Sequence, residues 1–265
     1  MEDKKIAILG CGNLGISILN GLLTMPNIKA SNITVTKRNI DTLEHYKSKG
    51  VQISNDNNEA VKSSQIIIIA LKPYNILEVL DEIKGSLNKD THILISLATG
   101  VLLKDIQKAV VIPVPVFRAM PNTAADVSTA MTCICSNTGD REKILLVHQC
   151  FDSIGQTLFI NEGLMDAATV LGACGIAFVL RFMRAMVQGG IQIGFDSTTA
   201  NTIVNQTVLG AAQLLSQRNQ HPEFEIDKVT TPKGCTITGL NEMEHNGFSS
   251  ALIKGIVTSY EAIEK

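Results

Sequence analysis

The apolar run Ile6-Ala7-Ile8-Leu9 passes directly into Gly10-Cys11-Gly12-Asn13-Leu14-Gly15, and this junction constrains the chain more than any other stretch. Four consecutive apolar residues read as a short strand buried on both faces, and Leu14, Ile18, Leu19, Leu22 and Leu23 then recur at helical spacing. The glycines therefore stand at a strand-to-helix turn. In a Gly-x-Gly-x-x-Gly at such a turn, Gly10 permits the tight bend and Gly12 lets the backbone approach a pyrophosphate. Gly15 lets the helix pack closely on the strand. Unpaired N–H groups and the macrodipole at the helix N-terminus favour phosphate there. An ordinary glycine-rich turn is the plain alternative, but the strand before it and the helix after it favour a dinucleotide site.

The second strand reads as Asn32 to Thr36, followed by Lys37-Arg38-Asn39. An NAD-selective site carries Asp or Glu near this strand end to hold the ribose 2′-hydroxyl. Here no acid appears before Asp41, and two cations stand in its place. They form either a solvated basic turn or a clamp on the 2′-phosphate of NADP. Arg38 is the better phosphate ligand, because its planar fork binds bidentately. NADPH is thus the favoured cofactor, with NADH possible.

A helix from Thr42 towards Lys49 leads to a third strand over Val51-Gln52-Ile53, and Asn57 reads as the cap of the next helix. Ile66 to Leu71 fits a central parallel strand, stopped by Lys72-Pro73 at the edge where open α/β sheets bind ligands. His92 to Leu97 predicts another strand, ended by Ala98-Thr99-Gly100, and Val110 to Phe117 one more. Strands alternating with helices predict an α/β fold, a doubly wound Rossmann-type sheet with right-handed crossovers.

From Glu162 onward strand patterns vanish and helical spacing takes over. The boundary falls at about residues 158–163, giving an NAD(P)-binding domain over 1–160 and an all-α domain over 161–265. Leu164 to Gly194 reads as one long helical stretch, apolar nearly all round. A helix of that kind is normally buried on every side. In a domain of about a hundred residues, that calls for a partner subunit. Asp196-Ser197 caps a second long helix to Arg218, and a last helix runs from Phe248 to the C-terminus. Between them, Pro232-Lys233-Gly234 enters a helix and makes a second anion-receptive N-terminus.

Composition narrows the function classes. With 45% apolar and 18% charged residues a sizeable core is affordable, and a net charge of −2 points to no nucleic acid or anionic membrane partner. The N-terminus enters the first strand within a few residues, which reads as lacking a cleavable signal. The uncharged run Ala167 to Leu180 is too short to span a bilayer. A soluble cytoplasmic protein is expected. Six cysteines and five histidines are scattered without zinc spacing, so thiols are expected reduced and no metal is expected.

Three further stretches, Ala70-Leu71-Lys72-Pro73, Arg118-Ala119-Met120-Pro121-Asn122-Thr123 and Thr231-Pro232-Lys233-Gly234-Cys235-Thr236, make the whole chain resemble the pyrroline-5-carboxylate reductase family. The resemblance implies hydride transfer from NAD(P)H to C5 of 1-pyrroline-5-carboxylate, giving L-proline at the end of proline biosynthesis. It also implies a homodimer interlocked through the helical domains, often assembled further into rings. The cofactor-binding set it implies is Gly10, Gly12, Asn13, Leu14, Gly15, Lys37, Arg38, Asn57, Ala70, Leu71, Lys72, Pro73, Ala98 and Asn122. The substrate-binding set is Gly175, Gly234, Cys235 and Thr236, with the Thr236 hydroxyl matching the group that hydrogen-bonds the ring nitrogen.

The chain departs from the family in two places. Gly172-Ala173-Cys174-Gly175-Ile176-Ala177 stands where many members carry Ser-Gly-Ser-Gly-Pro-Ala, and Lys233 stands where they carry glycine. A cyclic imine that binds as its iminium needs orientation and a carboxylate anchor more than a strong acid. The absence of His, Asp and Glu from Ala167 to Phe195 agrees with that. Cys174 and Cys235 read as small pocket residues and not nucleophiles. A β-hydroxyacid dehydrogenase would need a lysine in the first long helix of the second domain, and none lies between Lys143 and Lys228. That reading is the least favoured alternative, behind a non-catalytic NADP-binding sensor or scaffold.

Overall fold

The computed structural model describes residues 1–263 and divides into two compact units, Met1–Cys174 and the chain from Gly175 onward. In the first unit β1 (Ile6–Leu9), β2 (Ile33–Thr36), β3 (Gln52–Ser54), β4 (Ile66–Ile69), β5 (Ile93–Ser96), β6 (Val116–Met120), β7 (Ala130–Ser136) and β8 (Gly155–Phe159) form one sheet. Its order is β3-β2-β1-β4-β5-β6-β7-β8. The first six strands are parallel, β7 runs antiparallel to β6, and β8 runs parallel to β7. Ile6 pairs with both Ile33 and Ile66, so the strand before the glycine turn lies where the strand order reverses.

Helices α1 (Asn13–Thr24), α2 (Glu44–Lys47), α3 (Asn57–Lys62), α4 (Pro73–Ile83), α5 (Leu103–Val110) and α6 (Arg141–Asp152) cover the sheet. Every residue of β1, β4 and β5 is buried, because alternate side chains enter two cores. Ile6, Ile8, Ile66 and Ile68 meet Ile18, Leu22 and Phe151 on one face. Ala7, Leu9, Ile67 and Ile69 meet Ile76, Leu80 and Ile106 on the other.

Several local expectations change. Val110 closes α5, Val111 takes a left-handed φ of 67°, and the strand begins only at Val116. Pro113 and Pro115 explain the delay, since neither donates to a ladder. The stretch after Thr42 is a 3-10 turn, Asp41–Leu43, and the single turn of α2. Asp56, not Asn57, caps α3, accepting the Glu59 N–H at 3.1 Å. The strands β7 and β8 were not anticipated.

The helical stretch starts inside the first unit. A 3-10 turn, Glu162–Leu164, leads into α7 (Met165–Ala168) and then a π-helical turn, Thr169–Cys174. Met165 is buried in the second core. The units therefore divide between Cys174 and Gly175, later than the composition change near Asn161.

The second unit contains α8 (Gly175–Gln192), α9 (Ser197–Arg218), α10 (Pro222–Lys228), α11 (Cys235–His245) and α12 (Phe248–Ile263). Asp196 caps α9, accepting from the Thr198 and Thr199 N–H groups at 3.0 Å each. Val187, Ala200 and Val204 are buried where α8 and α9 meet, and Gly190 allows that approach: a Cβ there would lie 3.2 Å from the Ala200 Cβ. Elsewhere this unit leaves Leu180, Ile193, Phe224, Ile253 and Val257 exposed in the single chain, Ile193 by 78%. Glu162–Gln192 forms a 31-residue helical stretch, long and apolar enough to cross a membrane by length and composition. That exceeds the uninterrupted run seen between Ala167 and Leu180, because Arg181 and Arg184 do not end the helix.

Candidate functional site

A cavity of about 1000 Å³ opens in the first unit beside the C-terminal ends of the parallel strands. Its floor is the glycine turn. Gly10 adopts a φ of 80°, and a Cβ on it would lie 2.1 Å from the Leu71 side chain. The Gly10 and Cys11 N–H groups both donate to the Thr36 carbonyl, at 3.1 and 2.8 Å, which ties the turn to β2. Gly12 precedes α1 with no side-chain cap, so the first-turn N–H groups have no side-chain acceptor. A Cβ on Gly12 would meet nothing nearer than 4.0 Å, and the residue lines the cavity. The cradle therefore has uncommitted donors and open space, which fits a dinucleotide pyrophosphate.

Lys37, Arg38 and Lys72 line this cavity with one carboxylate, Asp126. The cationic excess suits a polyphosphate ligand. Lys37 Nζ donates to Thr42 Oγ1 at 2.9 Å, whereas Arg38 is exposed and makes no ion pair among the described residues. Asn57 contributes an oriented amide: Oδ1 accepts from Thr36 Oγ1 at 2.7 Å and Nδ2 donates to Glu82 at 3.2 Å.

Most of the expected cofactor residues meet at this cavity: Gly10, Gly12, Asn13, Leu14, Lys37, Arg38, Asn57, Ala70, Leu71, Lys72, Pro73 and Asn122, although Asn122 turns both amide atoms to protein partners and so borders the cofactor space without an amide aimed at it. Two do not line it. Gly15 faces the protein, where a Cβ would lie 3.4 Å from Ala70 Cβ and Ile8 Cγ2, so its role is helix packing. Ala98 is buried in the second core, while its neighbours Leu97 and Thr99 line the wall. Residues not anticipated include Ser17, whose hydroxyl bonds Asp126 across the cavity, and Ala173. The pair joins α1 to the 3-10 turn Thr123–Val127, a contact no local pattern announces.

The thiol beside the turn is inert. Burial pushes Cys11 up to about 11 despite the opposing charge of Lys37, so it stays protonated at neutral pH. Cys135 and Cys150 are raised by burial to about 11 and about 12. Cys174 is half-buried and Cys235 exposed, and among the described residues no cysteine is paired.

The second unit holds the other motif. Gly234 donates to the Thr231 carbonyl at 2.9 Å, and a Cβ on it would lie 2.5 Å from Thr231 Oγ1. Lys233 takes a φ of 60°, a left-handed conformation that favours glycine. Gly234 caps α11 without a side-chain bond, leaving the N–H groups of Cys235 and Thr236 at an open helix start. The Thr236 hydroxyl is no helix cap and has no protein hydrogen-bond partner among the described residues.

Comparison with known proteins agrees with these features. Residues 162–265 match the family model described as pyrroline-5-carboxylate reductase dimerisation. Residues 5–100 match the one described as NADP oxidoreductase, coenzyme F420-dependent. The chain is 44% identical over 271 residues to pyrroline-5-carboxylate reductase 1 of Dictyostelium discoideum, covering 98% of this chain but only 49% of that relative. It is 40% identical over 280 residues to pyrroline-5-carboxylate reductase 2 of the same organism, covering 100% of this chain and 93% of the relative. The crystal structure of Plasmodium falciparum pyrroline carboxylate reductase with NADP bound superposes with a TM-score of 0.88 at 25% identity, covering 99% of this chain and 98% of that one.

Proposed function

The chain belongs to the pyrroline-5-carboxylate reductase family, and on that premise we propose that it reduces 1-pyrroline-5-carboxylate to L-proline with NADPH, the last step of proline biosynthesis. It is an NAD(P)-dependent oxidoreductase. The observation that carries the reading is the uncapped glycine turn under a cationic cavity at the C-terminal edge of a doubly wound sheet.

The nicotinamide cofactor, when bound, supplies the hydride. The first-turn N–H groups of α1 hold its pyrophosphate, with Gly12 giving the closest backbone approach. Arg38 and Lys37 hold the 2′-phosphate, and Asn57 and the Ala70–Pro73 stretch border the rest of that end. In the helical unit, the N–H groups of Cys235 and Thr236 anchor the substrate carboxylate, while the expected Gly234 donor is spent on the Thr231 carbonyl and shapes the turn instead. The Thr236 hydroxyl orients the ring nitrogen, and Gly175 leaves room for the ring. Orientation with a fixed carboxylate is the main requirement, because the protonated imine is already electrophilic at C5.

The division of labour follows the two expected domains, cofactor in 1–160 and substrate and dimerisation in 161–265. The exposed apolar side chains of the helical unit meet a second copy, and dimers assemble further into rings. The long apolar helix serves that contact and not a bilayer, and the enzyme works in the cytoplasm on a small molecule, with no nucleic-acid partner. The deciding assay is NADPH oxidation dependent on 1-pyrroline-5-carboxylate. No substrate-dependent oxidation by the purified full chain overturns the reading and favours a non-catalytic NADP sensor.

A further inference from the structure

Asn122 is 8% exposed and commits its amide twice within the protein. Its Oδ1 accepts the Ala124 N–H at 3.1 Å, capping the 3-10 turn Thr123–Val127. Its Nδ2 donates to the Gly172 carbonyl, also at 3.1 Å, across 50 residues of sequence. Gly172 lies in the π-helical turn Thr169–Cys174. The Gly172 carbonyl thus has a side-chain donor from outside its own helical turn.

At Gly172 itself no side chain packs. A Cβ on Gly172 would meet no atom within 4 Å, so side-chain packing does not hold the position. The preceding end is fixed differently: Val170 is buried and Thr169 Oγ1 donates to the Met165 carbonyl at 2.8 Å. The Asn122 bond therefore ties the Gly172 end of the turn to the segment after β6.

That end faces the cavity. Ala173, next to Gly172, lines it together with Thr99, Met120 and Asn122. Thr99 follows β5, Met120 ends β6 and Asn122 follows it, on the opposite side of β1 from Lys37 and Arg38, which follow β2. A dinucleotide that crosses the switch point with its phosphates on the glycine turn puts its redox half on the β4–β6 side.

We propose that Asn122 is a positioning residue for the substrate: by holding the Gly172 carbonyl it fixes Gly172–Cys174 as the wall against which the imine ring is set for hydride transfer. The assignment rests on the reading of the chain as a pyrroline-5-carboxylate reductase. It acts through Gly172, and its loss should be felt by the imine and not by NADPH.

Two variants of the full chain test it. Asn122→Ser and Asn122→Asp both keep an oxygen that can cap Ala124 and both remove the donor to Gly172. Expected for both is a fall of tenfold or more in kcat/KM for 1-pyrroline-5-carboxylate. Amide hydrogen exchange over 170–176 should quicken by a similar factor. For Asn122→Ser, NADPH Kd, read by fluorescence without substrate, should stay within threefold. Wild-type kinetics with the imine in either variant overturn the proposal. So does an equal loss of NADPH affinity in Asn122→Ser, which makes Asn122 a cofactor ligand only. If wild-type protein binds NADPH but does not reduce the imine, the functional reading itself falls, a result separable from any variant effect.

Discussion

The Arg118 guanidinium lies 2.9 Å from the Glu162 carboxylate and joins β6 to the turn that opens the helical stretch. Arg118 is 2% exposed, and its Nε and Nη2 have no hydrogen-bond partner among the described residues, so Glu162 carries most of the compensation for a buried charge. The same Glu162 oxygen accepts the Leu103 N–H at 2.7 Å, binding α5 into the joint. Removing the carboxylate while keeping the arginine is therefore worse than removing both. Glu162→Ala should cost about 3 kcal/mol, the low end for breaking a buried pair because Glu162 is 30% exposed. The double variant Arg118→Met with Glu162→Ala should recover part of that loss. Urea unfolding of the three proteins measures both, and a double variant less stable than Glu162→Ala overturns the argument.

His92 makes stability depend on pH. It is 5% exposed, and its Nδ1 accepts the Asn88 N–H at 3.1 Å, a bond that exists only while Nδ1 is unprotonated. Burial holds its pKa below the ordinary 6.5, against a smaller upward pull from the Ser64 backbone. The unfolded chain takes a proton below about pH 6.5 and the folded one resists it. This contribution to stability is intact above that pH and is lost as pH falls. His92→Gln should lower Tm at pH 7.5 yet lose less Tm than wild type between pH 7 and 5. Equal slopes in thermal melts count against the assignment.

Arg38 should set cofactor preference. Its guanidinium is exposed and without an ion pair among the described residues, while Lys37 is engaged by Thr42. One charge-assisted contact to the 2′-phosphate is worth roughly 1.5–3 kcal/mol. Arg38→Ala should cut the NADPH-to-NADH ratio of kcat/KM by about tenfold or more. A variant that keeps the full preference moves the phosphate site elsewhere.

Thr236 offers the sharpest test of the substrate site. Gly234, not Thr236, caps α11, and the hydroxyl makes no hydrogen bond among the described residues that its removal would break. Thr236→Val should leave Tm nearly unchanged and lower kcat/KM for the imine by one to two orders of magnitude, roughly 1.4–2.7 kcal/mol. Wild-type efficiency in this variant removes Thr236 from the reaction.

The helical unit should not persist alone in water. Leu180, Ile193, Ile253 and Val257 are exposed in the single chain, more apolar surface than a soluble monomer usually tolerates. Sedimentation should show a dimer or larger assembly, and an active monomer at sub-micromolar concentration contradicts this.

What the sequence determined by itself is what depends on near neighbours. The glycine turn was legible because its demands are local: Gly10 needs a positive φ, Gly12 an open face and Gly15 a close helix. The all-isoleucine β4 and the change to helical spacing after Asn161 announced the layers in the same way. Where local patterns conflicted, reading failed, as at Val110 to Phe117, where apolar character pointed to a strand and two prolines forbade its ladder. The strands β7 and β8 carry no strong alternation, and the pairing of β7 with β6 and of β8 with β7 makes them strands. Tertiary structure alone decided the roles of Arg118, Ser17 and Asn122. Their partners Glu162, Asp126 and Gly172 lie 44, 109 and 50 residues away, so no spacing in the chain reveals them. A buried polar group must find a partner wherever the fold brings one, and only the folded chain names it.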